Sequence, residues 1–273
     1  MSTTPIFYLR VRSQGCTADI ELNDAPMFSV VREHAQEAVP TISEWVIDGE
    51  NQLVVRLHAI ADSPWIRVAL CQARIGDVPE PDAELELIVI EWPPLPIPPV
   101  EGALPVEVEP PSLPEPIVLA EVGVAAHPWG RWSWEDAPPF PLDARTTEVV
   151  LAYVRDLHAA LAAGSVDVLL AESQIKFDEV APVYDMQPAD AHERIRHAWQ
   201  GLTSHADWQL APLDETNLEL RLRCDGRLVE PTTSDGQPLL RQAMPIDDEI
   251  WGLSIFIART HREYTAGRLA IVR

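Results

Sequence analysis

The chain has 273 residues, 26 prolines, 47% hydrophobic residues and a formal net charge of -23 at pH 7. Domains usually hold about 100–200 residues, so this length predicts two compact units, and the hydrophobic content excludes a wholly disordered chain. A strongly negative surface repels nucleic-acid phosphates and anionic lipids, so it excludes both as partners and favours a basic protein partner. The alternative is that the acidic surplus only keeps the protein soluble.

Several common chemistries have no sequence motif here. The one lysine, Lys176, does not follow a glycine, so no phosphate-binding P-loop is present. The scattered glycines do not form the Gly-x-Gly-x-x-Gly turn of dinucleotide-binding proteins, and the Gly-x-Ser-x-Gly elbow of serine hydrolases is also missing. We therefore expect no cofactor.

The cysteines predict a reducing compartment. Cys16, Cys71 and Cys224 are odd in number, far apart and without the spacing of zinc ligands, so we expect buried thiols. The apolar stretch at residues 6–9 is too short for a signal peptide, and no apolar run reaches the roughly 18 residues of a membrane span. We expect a cytoplasmic protein that does not associate with membranes.

Residues 1–92 predict an all-β sandwich of short antiparallel strands. Apolar or alternating segments separated by turns occur at residues 6–11, 18–22, 41–47, 52–59, 66–73 and 85–90. Asn23-Asp24 predicts one turn. Asp48-Gly49 predicts a second, which would place Trp45 opposite the strand that follows.

Two stretches of this region resemble a known family. Residues 19–26 contain Asn23-Asp24, and residues 44–57 contain Gly49-Glu50-Asn51-Gln52-Leu53. Together they resemble the galactose-binding-like jelly-roll at the front of β-galactosidase and β-glucuronidase type enzymes, although Asn-Asp replaces the usual Asn-Gly. The resemblance implies a sandwich, and it leaves a carbohydrate-binding module as one alternative function.

Residues 93–142 predict a proline-rich, acidic connector. Residues 77–143 hold 16 prolines and 14 acidic residues against one basic residue, Arg131. Prolines at this density favour an extended polyproline segment, which serves either as a spacer between domains or as a docking ligand. The connector ends in a tryptophan cluster that is either buried or binds a partner. We take Trp129, Trp132, Trp134, Glu135 and Asp136 as candidate partner-binding residues.

Residues 143–273 predict an α+β domain in which helices cover an antiparallel sheet. Helical spacing of Val150, Val154, Leu157 and Leu161 predicts one helix, capped at Asp143 or Thr146 and ended by Gly164. Residues 167–180 predict a second helix, and a third begins near Pro188. Strands are predicted at residues 208–210, 218–223, 226–229, 239–242, 252–259 and 268–272. This order, with the final Gly-Arg-Leu-Ala-Ile-Val-Arg, is similar to the cone-shaped fold of nuclear transport factor 2 and ketosteroid isomerase, which implies either an enzyme or a binding protein.

Catalytic and metal-binding motifs are weak. His192 and His197 stand five positions apart, so about 140° of helix rotation separates them and they cannot share a zinc ion. We predict no metal site. If the cone fold is catalytic, Asp178, Tyr184 and His197 are the candidate acid–base residues.

The favoured hypothesis is a non-catalytic, acidic binding protein acting through protein–protein contact. A bacterial immunity or inhibitor protein, or an accessory of a secretion system, fits an acidic chain with few catalytic motifs. The alternatives are a small-molecule-binding protein or acid–base enzyme that uses a cavity in residues 143–273, and the carbohydrate module.

Overall fold

The chain forms two compact units in the computed structural model, Met1–Gly130 and Arg131–Arg273. The structure describes residues 4–30, 35–76, 84–93, 112–141, 143–245, 250–260 and 268–273. The first unit consists mainly of strands and the second combines helices with short strands. The boundary falls inside the predicted connector.

The first unit contains six strands and one short 3-10 turn. The strands are β1 (Pro5–Leu22), β2 (Ala25–Val30), β3 (Gln36–Ala38), β4 (Gly49–Arg74), β5 (Leu85–Trp92) and β6 (Ser112–Ala125). Hydrogen bonds link them all into one antiparallel sheet, in which β1 and β4 pair along almost their whole length. The all-β prediction for this region is therefore confirmed in outline, but β1 and β4 are far longer than the short strands predicted.

The sheet folds back on itself. On the edge of β4 away from β1, β5 pairs with the late part of the strand and β6 with the early part. Gly123 of β6 lies opposite Asn51, while Ile88 of β5 lies opposite Leu70. These β4 positions would be about 60 Å apart in a straight strand. A Cβ added to Gly123 would nevertheless lie 2.6 Å from Cγ1 of Ile88, so β4 must bend and bring two layers together.

The bend follows from irregular pairing near the middle of β1. Gly15 has φ +63° and lies where the register with β4 shifts, between Gln14 and Cys16. On either side of this point, alternate residues of both long strands are fully buried, and they supply the core between the layers: Phe7, Leu9, Val11, Ile20, Leu22, Leu53, Val55, Leu57, Ile66, Val68 and Leu70. A single bent sheet thus encloses a core of the kind that two separate sheets would enclose in the predicted sandwich.

Residues 41–47 do not form the predicted strand. Ser43–Trp45 is a 3-10 turn, and β4 starts at Gly49 and pairs with β1 and β6. Trp45 and Val46 are buried without belonging to a strand, so their apolar character reflects core packing and not strand alternation. Gly49 does have a positive φ of 125°, as the predicted turn requires.

Part of the predicted connector belongs to the sheet. Residues 94–111, with most of the proline-rich run, lie outside the described residues. Ser112–Ala125, however, forms β6, since its alternating valine and alanine residues suit a strand better than a spacer. Residues 131–141 belong to the second compact unit.

The second unit begins with helices and continues with strands. The helices are α1 (Ala144–Ala162), α2 (Asp167–Glu172), α3 (Gln174–Val180) and α4 (Pro188–Thr203), with 3-10 turns at Ala181–Tyr184 and Glu215–Asn217. The strands are β7 (Leu218–Arg223), β8 (Leu228–Thr233), β9 (Leu240–Arg241), β10 (Gly252–Leu253), β11 (Ile257–Thr260) and β12 (Arg268–Ile271). Among the described residues, none of the helices combines the length and apolar character that crossing a lipid bilayer requires.

Helix α1 matches its prediction closely. The carboxylate of Asp143 accepts a hydrogen bond from the backbone N–H of Thr146 at 2.7 Å, and Gly164 follows the helix with φ +81°. The four predicted apolar residues of α1 are buried. The second predicted helix instead breaks at Ser173 into α2 and α3.

The strands form a four-stranded antiparallel sheet in the order β12-β11-β8-β7 and a separate pair of β9 with β10. Apolar residues of α1, α2 and α4 share one core with β8, β11 and β12, as the predicted α+β layering requires. The predicted strand over residues 252–259 is divided into β10 and β11.

Candidate binding cleft

A cleft of about 510 Å³ opens in the second unit. Helices α2, α3 and α4 form one side, and the segment around β10 with Ile271 of β12 forms the other. Most of the lining side chains are apolar: Leu169, Phe177, Ile195, Ala198, Trp199, Leu202, Trp251, Leu253, Ile255 and Ile271. This volume lies within the range of about 300–1,000 Å³ that is typical of small-molecule sites.

Three tryptophans stiffen one end of the cleft. Trp199, Trp208 and Trp251 contact one another edge to face, with ring centroids 5.5 to 5.6 Å apart. Trp199 is buried, and Trp199 and Trp251 both line the cleft. Edge-to-face packing fixes the ring planes, so this wall is largely preformed.

Part of the apolar stripe of α4 is exposed and lines the cleft. The sequence predicts that Ala191, Ile195, Ala198 and Trp199 share one buried face. Ala191 and Trp199 are buried, whereas Ile195 is 38% exposed and Ala198 is also exposed. Both exposed residues line the cleft, so the part of the predicted face that lacks cover is the part that can receive a ligand.

The lining of the cleft is almost entirely apolar. Among its lining residues Lys176 is the only one with an ionisable side chain, and Ser173 and Ser254 are the other polar residues. Proton transfer requires an acid or base within hydrogen-bond reach of the substrate. The lining contains no carboxylate, imidazole, thiol or phenol, so it suits an apolar guest.

The candidate acid–base residues do not meet in this cleft. Asp178 of α3 accepts a hydrogen bond from the side chain of Gln174 at 2.7 Å, Tyr184 lies in the 3-10 turn after α3, and His197 is exposed on α4. None of them belongs to the lining.

A second, more polar hollow of about 490 Å³ lies between α1, α2 and β12. The Tyr153 hydroxyl donates to Glu172 at 3.0 Å, and Arg268 forms an ion pair with the same carboxylate. Burial, and then the charge of Glu172, raises the pKa of Tyr153 far above its usual value, so the phenol stays protonated at neutral pH. These three side chains therefore link α1, α2 and β12.

The predicted partner-binding residues separate into buried and exposed members. Trp129 stacks on His127 with ring centroids 4.7 Å apart and is half-buried. Trp132 and Trp134 are 2% and 4% exposed, so their rings are not presented to a partner. The guanidinium of Arg273 lies 4.7 Å from the ring centroid of Trp132, a cation–π contact.

The two acidic candidates, Glu135 and Asp136, form contacts within residues 131–136. Glu135 accepts a hydrogen bond from the backbone N–H of Trp132 at 2.7 Å, and Asp136 forms an exposed ion pair with Arg131 at 2.9 Å. Only Asp136 remains mainly exposed among the five candidates.

One side-chain group among the described residues has the spacing of metal ligands. Cys71, Glu84 and Glu86 place one potential ligand atom each within 4.8 Å of one another. Arg10 already pairs with Glu84 at 2.7 Å and Arg67 with Glu86 at 2.8 Å. Because these guanidinium groups neutralise both carboxylates, and because burial raises the pKa of the Cys71 thiol to about 12, the group is a poor ligand set.

The sequence predicts the apolar stripe of α4 as a helix face, but it does not predict that this stripe lines a cleft. The stripe on α4 was visible as Ile195, Ala198 and Trp199. Trp251 and Ile255 come about fifty residues later and carry no local signature of a site. Comparison of the chain with protein-family models, with curated proteins and with solved structures finds no match.

Proposed function

We propose that this protein is a non-catalytic, acidic binding protein that acts through contact with a basic protein. The supporting observation is the composition of the cleft, which offers an apolar surface and no acid–base pair. The net charge of -23 adds a long-range attraction for a basic partner. An immunity or inhibitor protein against a basic toxin, or an accessory of a secretion system, would be drawn to its partner by such an attraction. Cys16, Cys71 and Cys224 are buried and form no disulfide, which supports a cytoplasmic setting for this role.

Affinity purification of the protein from its native cells, followed by mass spectrometry, tests the proposal. We expect a basic protein at a stoichiometric amount, and its association rate with the purified protein should fall by about tenfold or more between low and physiological salt, because screening weakens electrostatic steering. A partner whose association rate is independent of salt, or the lack of any stoichiometric partner, would contradict the proposal.

The cleft volume favours a second candidate function, the binding of a small apolar molecule. The neutral dye Nile red is a suitable probe, because its emission rises when it leaves water. Ala198→Trp should fill the cleft and weaken dye binding at least tenfold. Gln200→Trp places the same side chain at an exposed α4 position outside the lining and should leave dye binding within about twofold. Equal dye binding by both variants would exclude the cleft as the site.

The carbohydrate-binding alternative receives no support from Trp45 and Trp65, two tryptophans of the first unit that could stack on a sugar ring. Trp45 is 8% exposed, and Trp65 is half-buried with its indole N–H donating to Gln14 at 3.1 Å. Sugar-binding platforms need exposed ring faces.

For the fold, we propose that the two compact units are independent domains. The first would be a galactose-binding-like sandwich made from one bent sheet, and the second a nuclear transport factor 2-like cone. For the first assignment, support comes from Asn23 and Asn51, which carry the resemblance and lie within hydrogen-bond distance, 2.9 Å. For the second, it comes from the order of helices before antiparallel strands.

A further inference from the structure

A row of exposed apolar side chains runs along β6. Val118, Val122 and Val124 are 50%, 52% and 69% exposed, and Ala120 between them is also exposed. Alternate residues of a strand point to the same face, so these four side chains form one continuous row. Single exposed valines are common on protein surfaces, whereas a contiguous row marks a contact surface.

Within the described part of the chain, one hydrogen-bonding edge of the same strand has no neighbouring strand. β6 pairs with β4 on one side, and no strand of the described residues pairs with its other side. Proteins usually protect such an edge with lysine, proline or a bulge. Residues 118–124 contain no lysine and no proline, Glu121 is their one charged residue, and the register with β4 is regular there. By contrast, the other strand on this side of β4, β5, carries charged side chains: Glu86 and Glu91 both form ion pairs with Arg67 of β4.

The charge around the row is negative. β6 carries Glu115 and Glu121, both exposed, and no basic residue, while Glu50 lies opposite Val124 on β4 and is exposed as well. The arginine opposite Val118, Arg56, is engaged with Glu21 at 3.1 Å. A second copy of this chain would place glutamate next to glutamate at this edge, and each copy carries a net charge of -23. Electrostatic repulsion therefore opposes self-pairing here.

We propose that β6 is the docking edge for an extended, basic segment of the partner protein, which adds to the sheet as a further strand. The partner's backbone pairs with the N–H and C=O groups on the edge of β6 that no described strand occupies. Its apolar side chains pack beside the valine row, and its lysine or arginine side chains meet Glu115 and Glu121. This inference rests on the proposed function and names the surface that performs it.

The probe is a fluorescein-labelled peptide of alternating lysine and valine, about eight residues long, because Val118 to Val124 spans about 20 Å of strand. We expect saturable binding by fluorescence anisotropy at low salt, weakened at least tenfold at physiological salt. The same peptide with alternate backbone amides N-methylated keeps its charge and side chains but cannot pair as a strand. It should bind at least tenfold more weakly. Equal binding of the methylated peptide, or no binding of the original, would overturn the proposal.

Variants of the protein locate the binding site. Val122→Lys places a charge in the row and should weaken binding at least tenfold, whereas Val122→Thr keeps the branched shape and should stay within about threefold. Val149→Lys adds the same charge to a valine on α1 that is 50% exposed, and it should bind like the unmodified protein. Equal effects of the two lysine variants would overturn the proposal, because only net charge would then matter. Thermal unfolding checks that each variant is folded.

Two further results separate this inference from the proposed function. If sedimentation velocity shows a dimer that Val122→Lys disrupts, the occupant of the edge is a second copy and the inference is wrong. If Val122→Lys associates with the native basic partner at unchanged affinity and salt dependence, the docking edge is wrong while the proposed function stands. If no stoichiometric basic partner is found, the proposed function fails by its own test.

Discussion

Replacement of Asn51 by alanine should destabilise the first unit strongly. The Asn51 side chain is 1% exposed. Its Oδ1 accepts from the backbone N–H of Ile47 at 2.9 Å and from Nδ2 of Asn23 at 2.9 Å. Its Nδ2 donates to the carbonyls of Ile47 at 2.9 Å and Gly49 at 3.0 Å. One side chain thus fixes both turns that lead into β4 and β2.

The expected magnitude follows from these four bonds. A buried hydrogen bond contributes about 0.5–1.5 kcal/mol net, so four correspond to about 2–6 kcal/mol. Water entering the space left by alanine will recover part of this, and we expect a loss of about 2–4 kcal/mol. With an m-value of about 2 kcal/mol/M, the urea midpoint of the first unit should fall by about 1–2 M.

Urea unfolding followed by far-UV circular dichroism measures this shift, and two variants serve as comparisons. Asn51→Asp keeps the acceptor but turns a carboxylate oxygen towards two carbonyls, so it should be at least as destabilising as alanine. Gln52→Ala changes an exposed side chain on the same strand and should cost less than about 0.5 kcal/mol. A loss below about 1 kcal/mol for Asn51→Ala, or a stable Asn51→Asp, would refute the assigned hydrogen bonds.

Three other substitutions or conditions test the structure. Gly123→Ala should lower the free energy of unfolding by about 2–4 kcal/mol, measured in urea. Its Cβ would lie 2.6 Å from the carbonyl oxygen of Leu87, a backbone atom that cannot rotate away. An unchanged stability would contradict the contact between the two layers. Asp143→Ala should remove the cap of α1 and lower the free energy of unfolding by about 1 kcal/mol, and Asp143→Asn should restore most of it. Burial raises the pKa of Cys16 to about 11 and of Cys71 to about 12, so the folded state retains both protons to a higher pH than the unfolded chain does. The free energy of unfolding should therefore fall as pH rises from about 9 towards these values. Thiol labelling of the native protein should be slow at about pH 8, and fast labelling of both cysteines would disprove their burial.

Local patterns predicted the helices of the second unit well. Helix α1 has a cap at Asp143, apolar residues at helical spacing and a glycine after its last turn, and each of these signals acts within a few residues. The break at Ser173 was missed, because residues 167–180 hold no proline or glycine to mark it. The bounds of β7 match the predicted strand at both ends, since its alternation is uninterrupted.

Long-range features were harder to predict. The turn at Asn23-Asp24 was expected, and both residues have positive φ. The joining of four predicted strands into β1 and β4 depends on how chain segments pair across the sheet, which no local pattern encodes. The burial of Trp132 and Trp134 likewise depends on tertiary packing. The cleft combines α4 with residues near Trp251, which lie about fifty positions later in the chain, so no local pattern in the sequence predicts it.

The continuity of β1 and β4 makes the first unit indivisible. Each of these strands contributes to both layers, so neither layer has a complete set of strands without the other. Cutting the chain near Gly15, or inserting residues there, would interrupt both layers at once. We expect the whole sheet to exchange its protected amide hydrogens in one cooperative opening. In a sandwich of two separate sheets, by contrast, one sheet can open before the other.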